Sequence, residues 1–211
     1  MDPLEKEVAA LHPESPASAL PESSPPHLAY PAAAGMEDNH LDLIYKAVRL
    51  TRPARVVETG VANGRSSRAI LRALLANGTG RLTSMDVASD VGGLIEPALR
   101  DRWDLVVLPR SRRRAVTRQC LLSQAPLDIF IHDSDHSYGW QSMEYRCAYS
   151  ALRPGGLLIS DDIDASFAFV DFVTRTPALA FACVGSRKVM GVAVKPPAIA
   201  AGPPRPPQSP Q

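Results

Sequence analysis

The residues able to do chemistry gather in four short stretches: Glu58-Thr59-Gly60-Val61-Ala62-Asn63-Gly64-Arg65-Ser66, Asp86, His132-Asp133-Ser134-Asp135-His136, and Asp161-Asp162. Asp133, Asp161 and Asp162 offer hard oxygen donors. Clustered carboxylates repel one another unless a cation or protons intervene. Mg²⁺ is satisfied by a few carboxylates plus water and substrate oxygens. Such an ion lowers the pKa of a hydroxyl and orients it toward an electrophile. His136, three residues after Asp133, is placed to accept the hydroxyl proton, or else to order its loop. His132 reads as structural. Some of these carboxylates could instead cap helices, and Asp164 before Ala165-Ser166-Phe167 reads as such a cap.

The first stretch has glycines four apart followed by a helical pattern. Gly60 permits a tight turn, and Gly64 permits close approach of a ligand to the backbone. Free N–H groups at a helix start bind anions, and Ser66 can cap that helix. Ala62 stands where GxGxxG has its second glycine, so the turn suits a single carboxylate better than a pyrophosphate. Asp86, at the end of the following strand, can take both hydroxyls of a ribose. A plain strand-to-helix turn is the alternative.

These residues need a sheet to bring them together. Apolar spacing predicts helices over 39–50, 66–76, 94–103, 112–122, 139–152 and 165–175. Strands are predicted over 55–59, 81–86, 104–108, 127–132 and 157–160, with a closing hairpin of 179–184 and 188–194 turned at Gly185-Ser186. Strands alternating with helices imply βαβ units, a mostly parallel sheet and helices on both faces. Ligands in such sheets bind at the carboxyl ends of the strands, where all four stretches fall.

Composition bounds the rest. The chain has 211 residues, 45% apolar and 21% charged, with net charge +1. That balance predicts one globular domain with no nucleic-acid or membrane partner. Seven of the 20 prolines lie in residues 1–35 and seven more in 196–211, which predicts disordered tails around a domain at 36–195. Cys120, Cys147 and Cys183 form no metal or disulfide pattern, and the N-terminus lacks a signal peptide, so a reduced cytoplasmic setting is expected.

Val57 to Ser67 resembles motif I of class I S-adenosylmethionine-dependent methyltransferases, in the form found in the catechol O-methyltransferase-like branch. Phe130 to Tyr138 and Leu152 to Asp162 resemble a bacterial group described as class I methyltransferase or cephalosporin-hydroxylase-like. The resemblance spans about residues 38–195. It implies a Rossmann-like, doubly wound, seven-stranded sheet with an antiparallel final strand. It also implies S-adenosylmethionine contacts at Glu58, Gly60, Ala62, Gly64, Ser66, Asp86, Ser111 and Asp133, and Mg²⁺ held by Asp133, Asp161 and Asp162. Relatives place a lysine base three residues after the first aspartate; His136 stands there. They often carry a Gly-Asp-Ser-like turn after strand three, of which only Ser111 remains in Leu108-Pro109-Arg110-Ser111-Arg112-Arg113-Arg114. That arginine run reads as a solvated helix face.

The implied function is Mg²⁺-assisted methylation of a small-molecule hydroxyl, with His136 and Asp133 at the reacting atoms. A catalytically degenerate cofactor- or partner-binding protein is the alternative. A nicotinamide oxidoreductase lacks its motif here, and a metal hydrolase lacks its histidines. The acceptor stays open, as does a homo-oligomer.

Overall fold

The computed structural model describes residues 30, 31 and 35–197. The expected tails therefore lie mostly outside the described residues. One described piece of the first tail joins the domain: Asn63 Nδ2 donates to the Tyr30 carbonyl at 2.8 Å, and the Tyr30 N–H returns a bond to Asn63 Oδ1 at 3.2 Å.

Seven strands form one sheet: β1 (Arg55–Thr59), β2 (Arg81–Asp86), β3 (Trp103–Val107), β4 (Leu127–His132), β5 (Leu152–Ser160), β6 (Leu179–Val184) and β7 (Val189–Val194). Their spatial order is β3-β2-β1-β4-β5-β7-β6. The first five pair in parallel; β7 is antiparallel to both β5 and β6. The expected mostly parallel sheet with a closing hairpin is thus observed. The order reverses at β1, where β2 lies on one side and β4 on the other.

Alternation along the strands builds two cores. Val56, Ile129, Ile131, Ile159 and Val192 face helices α1 (Asp38–Thr51) and α2 (Arg65–Asn77). Val57, Phe130, Leu158 and Ala193 face α3 (Arg113–Ser123), α4 (Tyr138–Ala151) and α5 (Ala168–Arg175). On α1, Leu41, Ile44, Tyr45 and Val48 recur at helical spacing and are buried. Helix α2 stops at Gly78, whose φ of +71° suits a glycine C-cap.

Three elements depart from expectation. The predicted helix at 94–103 is only a 3₁₀ segment, Pro97–Arg102. Pro97 has no N–H to continue a helix from 94, and Trp103 already pairs with Leu82 in the sheet. The helix predicted from 165 starts at Ala168, because Ser166 is extended and its hydroxyl accepts the Ala168 N–H at 3.1 Å. Asp164 therefore caps nothing; it accepts the Val189 N–H at 3.2 Å. Strand β5 begins at Leu152 rather than Leu157, since Gly155 and Gly156 bond to both sides of Lys195 across a kinked approach. Among the described residues, no helix is long and apolar enough to cross a membrane.

Candidate active site

The carboxyl ends of β1, β2 and β4 open onto a cavity of about 400 Å³. Gly60 and Ala62 line it from the turn after β1, Asp86 from the end of β2, and Asp133 to His136 from the turn after β4. Asp162 and Lys188 close the side toward β5 and β7. Glu58, Gly64, Ser66, Ser111 and Asp161 do not line it.

The first turn is shaped by what it packs against. Gly60 has φ +83°, and a Cβ there would lie 1.9 Å from the Asp133 carbonyl oxygen. The Asp133 N–H donates to the Thr59 carbonyl at 2.8 Å, so the turns after β1 and β4 are one joined unit. Ala62 takes the left-handed region without being glycine, at φ +47°. Gly64 corrects an expectation. A Cβ on it would lie 2.9 Å from Gly92 Cα and 3.0 Å from Ile95, so its bare backbone admits a protein segment rather than a ligand.

Glu58 lies beneath that turn with no solvent exposure. Ser66 and Ser67 hydroxyls donate to its two oxygens at 2.5 Å each, and Ser84 Oγ donates at 2.8 Å. Burial pushes the Glu58 carboxyl above the ordinary value, although the three hydroxyls oppose it. Ser66 therefore does not cap α2; its hydroxyl is spent on Glu58.

Asp86 is 9% exposed and accepts three backbone N–H groups: Val61 at 2.8 Å, Ala62 at 3.4 Å and Ala88 at 3.0 Å. A carboxylate has about four lone-pair sites, so one remains free at the cavity wall.

The acidic cluster holds the largest surprise. Lys188 Nζ donates to Asp161 Oδ2 at 3.0 Å and to Asp162 Oδ2 at 2.8 Å. Burial opposes its charge, but the two carboxylates outweigh that and hold its pKa above the ordinary lysine value. Burial, and then the charge of Asp161, push the Asp133 carboxyl well above its ordinary range. The expected Mg²⁺ site does not fit these residues: an ammonium already sits on two of the three carboxylates. With Lys188 in place, no group of three or more His, Cys, Asp or Glu among the described residues is arranged to hold a metal ion.

His136 Nε2 lies 3.6 Å from Asp162 Oδ2 and 3.8 Å from Asp133 Oδ1, while its Nδ1 is buried without a partner. Burial, and then adjacent His132, hold its pKa below the ordinary 6.5. The imidazole is therefore neutral at pH 7, as a proton acceptor must be. His132 is fully buried and its Nδ1 lies 2.6 Å from Glu144 Oε2. Glu144 also accepts from Thr59 Oγ1 and Trp140 Nε1, both at 2.7 Å, which ties β1, β4 and α4 together under the cavity.

Sequence reasoning missed Lys188, Arg113, Trp140 and Glu144. Lys188 had a signal. Strand β7 runs antiparallel to β5 with Ser160 opposite Gly191, so residues just before β7 must arrive beside Asp161 and Asp162. Arg110, Arg112 and Arg114 are exposed, as a solvated face requires; Arg113, its side chain 42% exposed, leans over the Trp140 ring at 4.5 Å and reaches Asp135 at 3.1 Å.

Solved structures share this fold. An O-methyltransferase from Bacillus cereus in complex with SAH is 19% identical, with 92% of each chain covered and a TM-score of 0.63. The O-methyltransferase TomG from Streptomyces achromogenes, in complex with SAM, is 18% identical over 76% of this chain and 82% of that one, with a TM-score of 0.60. A methyltransferase from Geobacter sulfurreducens is 19% identical over 76% and 80%, with a TM-score of 0.59. No curated protein matches the chain in sequence. The family model described as a methyltransferase domain matches residues 57–163, just over half of the 211 residues, and covers the joined turns and most of the cavity wall. The chain belongs to the methyltransferase domain family.

Proposed function

We propose that the protein transfers a methyl group from S-adenosylmethionine to a hydroxyl oxygen of a small molecule. One observation carries this reading: a single cavity joins the Gly60–Ala62 turn and Asp86 on one side to Asp133 and His136 on the other. Family membership supports the transfer chemistry, and the O-methyltransferases solved with SAH and SAM support the cofactor and the oxygen acceptor.

The residues fit the cofactor. The free lone pair of Asp86 is placed for a ribose hydroxyl, and Ala62, in its left-handed conformation, keeps the turn's backbone at the cavity wall. The joined Gly60–Asp133 backbones form the adjoining floor. Glu58 and Ser66 support that turn from below, and Gly64 packs it onto Gly92. Ser111 is exposed in the turn after β3 and is assigned no contact. When bound, S-adenosylmethionine supplies an electrophilic methyl. Neutral His136 would take the proton of the acceptor hydroxyl as that oxygen accepts the methyl. Asp133 lies beside that oxygen and orients it. Positioning of the two reactants supplies much of the acceleration.

Calorimetric titration with S-adenosylmethionine tests the reading. Saturable binding by the wild type, weakened about tenfold or more in Asp86→Ala through loss of a charged hydrogen bond, is expected. Absence of binding up to millimolar cofactor would overturn it. A labelled-methyl screen of phenols and sugars then finds the acceptor.

A further inference from the structure

We propose that the Lys188 ammonium is the resident cation of the active-site carboxylates, and that its removal turns them into a divalent-metal site. The inference rests on the methyl-transfer reading for its catalytic consequence, but not for the cation binding itself.

Asp161 has no solvent exposure, so its charge must be answered where it stands. Lys188 answers it at 3.0 Å and answers Asp162 at 2.8 Å. His40 Nδ1 lies 3.4 Å from the other Asp161 oxygen, and the His40 Nε2 already faces the Cys183 carbonyl at 3.2 Å. The Oδ2 atoms that hold the ammonium are the ones a small cation would need, so the two compete for the same place.

The lysine is pinned. Its carbonyl accepts the Gly185 N–H at 2.8 Å, and the next residue, Val189, donates to Asp164. Glu37 Oε1 accepts Ser186 Oγ at 2.6 Å and the Arg187 N–H at 3.0 Å, anchoring the turn to the start of α1. The turn delivers Lys188 beside the acidic pair, where its side chain is only 22% exposed.

Lys188 also lines the cavity. It presents a non-exchangeable positive charge to an acceptor oxygen approaching Asp133 and His136, so chelators leave the reaction untouched. A metal at the same oxygens would have made it chelator-sensitive.

Mn²⁺ binding, read by electron paramagnetic resonance on the full chain, tests this. Wild type and Lys188→Arg are expected to show no saturable binding in the millimolar range. Lys188→Met is expected to bind Mn²⁺ about tenfold tighter or more than wild type, because vacated carboxylates seek a cation. Adding Asp162→Asn should abolish the gain. Saturable wild-type binding that excludes the ammonium's role, or a Lys188→Met variant folded by circular dichroism that gains none, would overturn the proposal. If Lys188→Met does not fold, the wild-type titration decides: binding overturns the proposal and its absence supports it. If S-adenosylmethionine fails to bind while this Mn²⁺ pattern holds, the methyl-transfer reading falls and the resident cation stands.

Discussion

Glu58 and Asp161 lie at the ends of two strands of one sheet, and neither carboxyl is exposed to solvent. They are neutralised in different ways. Glu58 is wrapped by the hydroxyls of Ser66, Ser67 and Ser84 and pushed toward its protonated form by burial. Asp161 is answered by a full ammonium that also reaches Asp162 and the cavity. Neutral donors suit a carboxyl whose task is to hold a turn in place; a fixed charge suits one whose neighbour, Asp162, lines the proposed site. The contrast separates a supporting region from a reacting one, although Gly60 and Asp133 lock the two backbones together.

The largest effect should come from that lock. Gly60→Ala places a Cβ 1.9 Å from a backbone oxygen at φ +83°, so a loss of about 3 kcal/mol or more in urea unfolding is expected. Wild-type stability in that variant would mean that the two regions are not joined as described. On the reacting side, His136→Ala should lower the methyl-transfer rate about 100-fold with cofactor affinity unchanged. The wild-type rate should be flat above pH 6.5 and fall below it, because acid protonates the base. A rate that instead rose on acidification would remove His136 from that role.

On the supporting side, Glu58→Ala removes the acceptor of three buried hydroxyls, of which Ser84 alone keeps a partner in Trp103 Nε1, and should cost about 2 kcal/mol of stability. Glu58→Gln should cost less, and cofactor affinity should hold in both once folded. A Glu58→Gln variant of full stability but weakened affinity would erase the contrast. The smallest effect concerns Glu37, whose carboxyl is held at about 2, chiefly by Ser186, against 4.5 when free. Its contribution is complete above 4.5 and is lost as pH falls through that window toward 2, since the unfolded chain takes up the proton first. Glu37→Gln should flatten the acid limb of the melting curve.

Much of this was legible in the chain because it is local. The alternation of Val56 and Val57, or Ile129 and Phe130, states which side chain meets which helix layer. The clustering of Gly60, Asp86, Asp133 and Asp162 at strand ends follows from βαβ order alone. Boundaries were less legible where a tertiary partner competes. Ser166 breaks its helix while bonded to Gln141 at 2.5 Å, and Lys195 bonds fold Gly155 and Gly156 into β5. Ser66 reads as a cap until Glu58 is seen to claim its hydroxyl.

The layered α/β fold, the glycine turn and the gathering of carboxylates can be read from the chain, since backbone freedom and hydrophobic period are written residue by residue. What answers those carboxylates is a matter of tertiary packing. Lys188 stands 26 and 27 residues from Asp162 and Asp161, in a turn where a lysine looks like any surface lysine. The antiparallel return of β7 along β5 carries it to the acidic strand end. Once there, the cost of leaving Asp161 buried and unpaired fixes its ammonium in place.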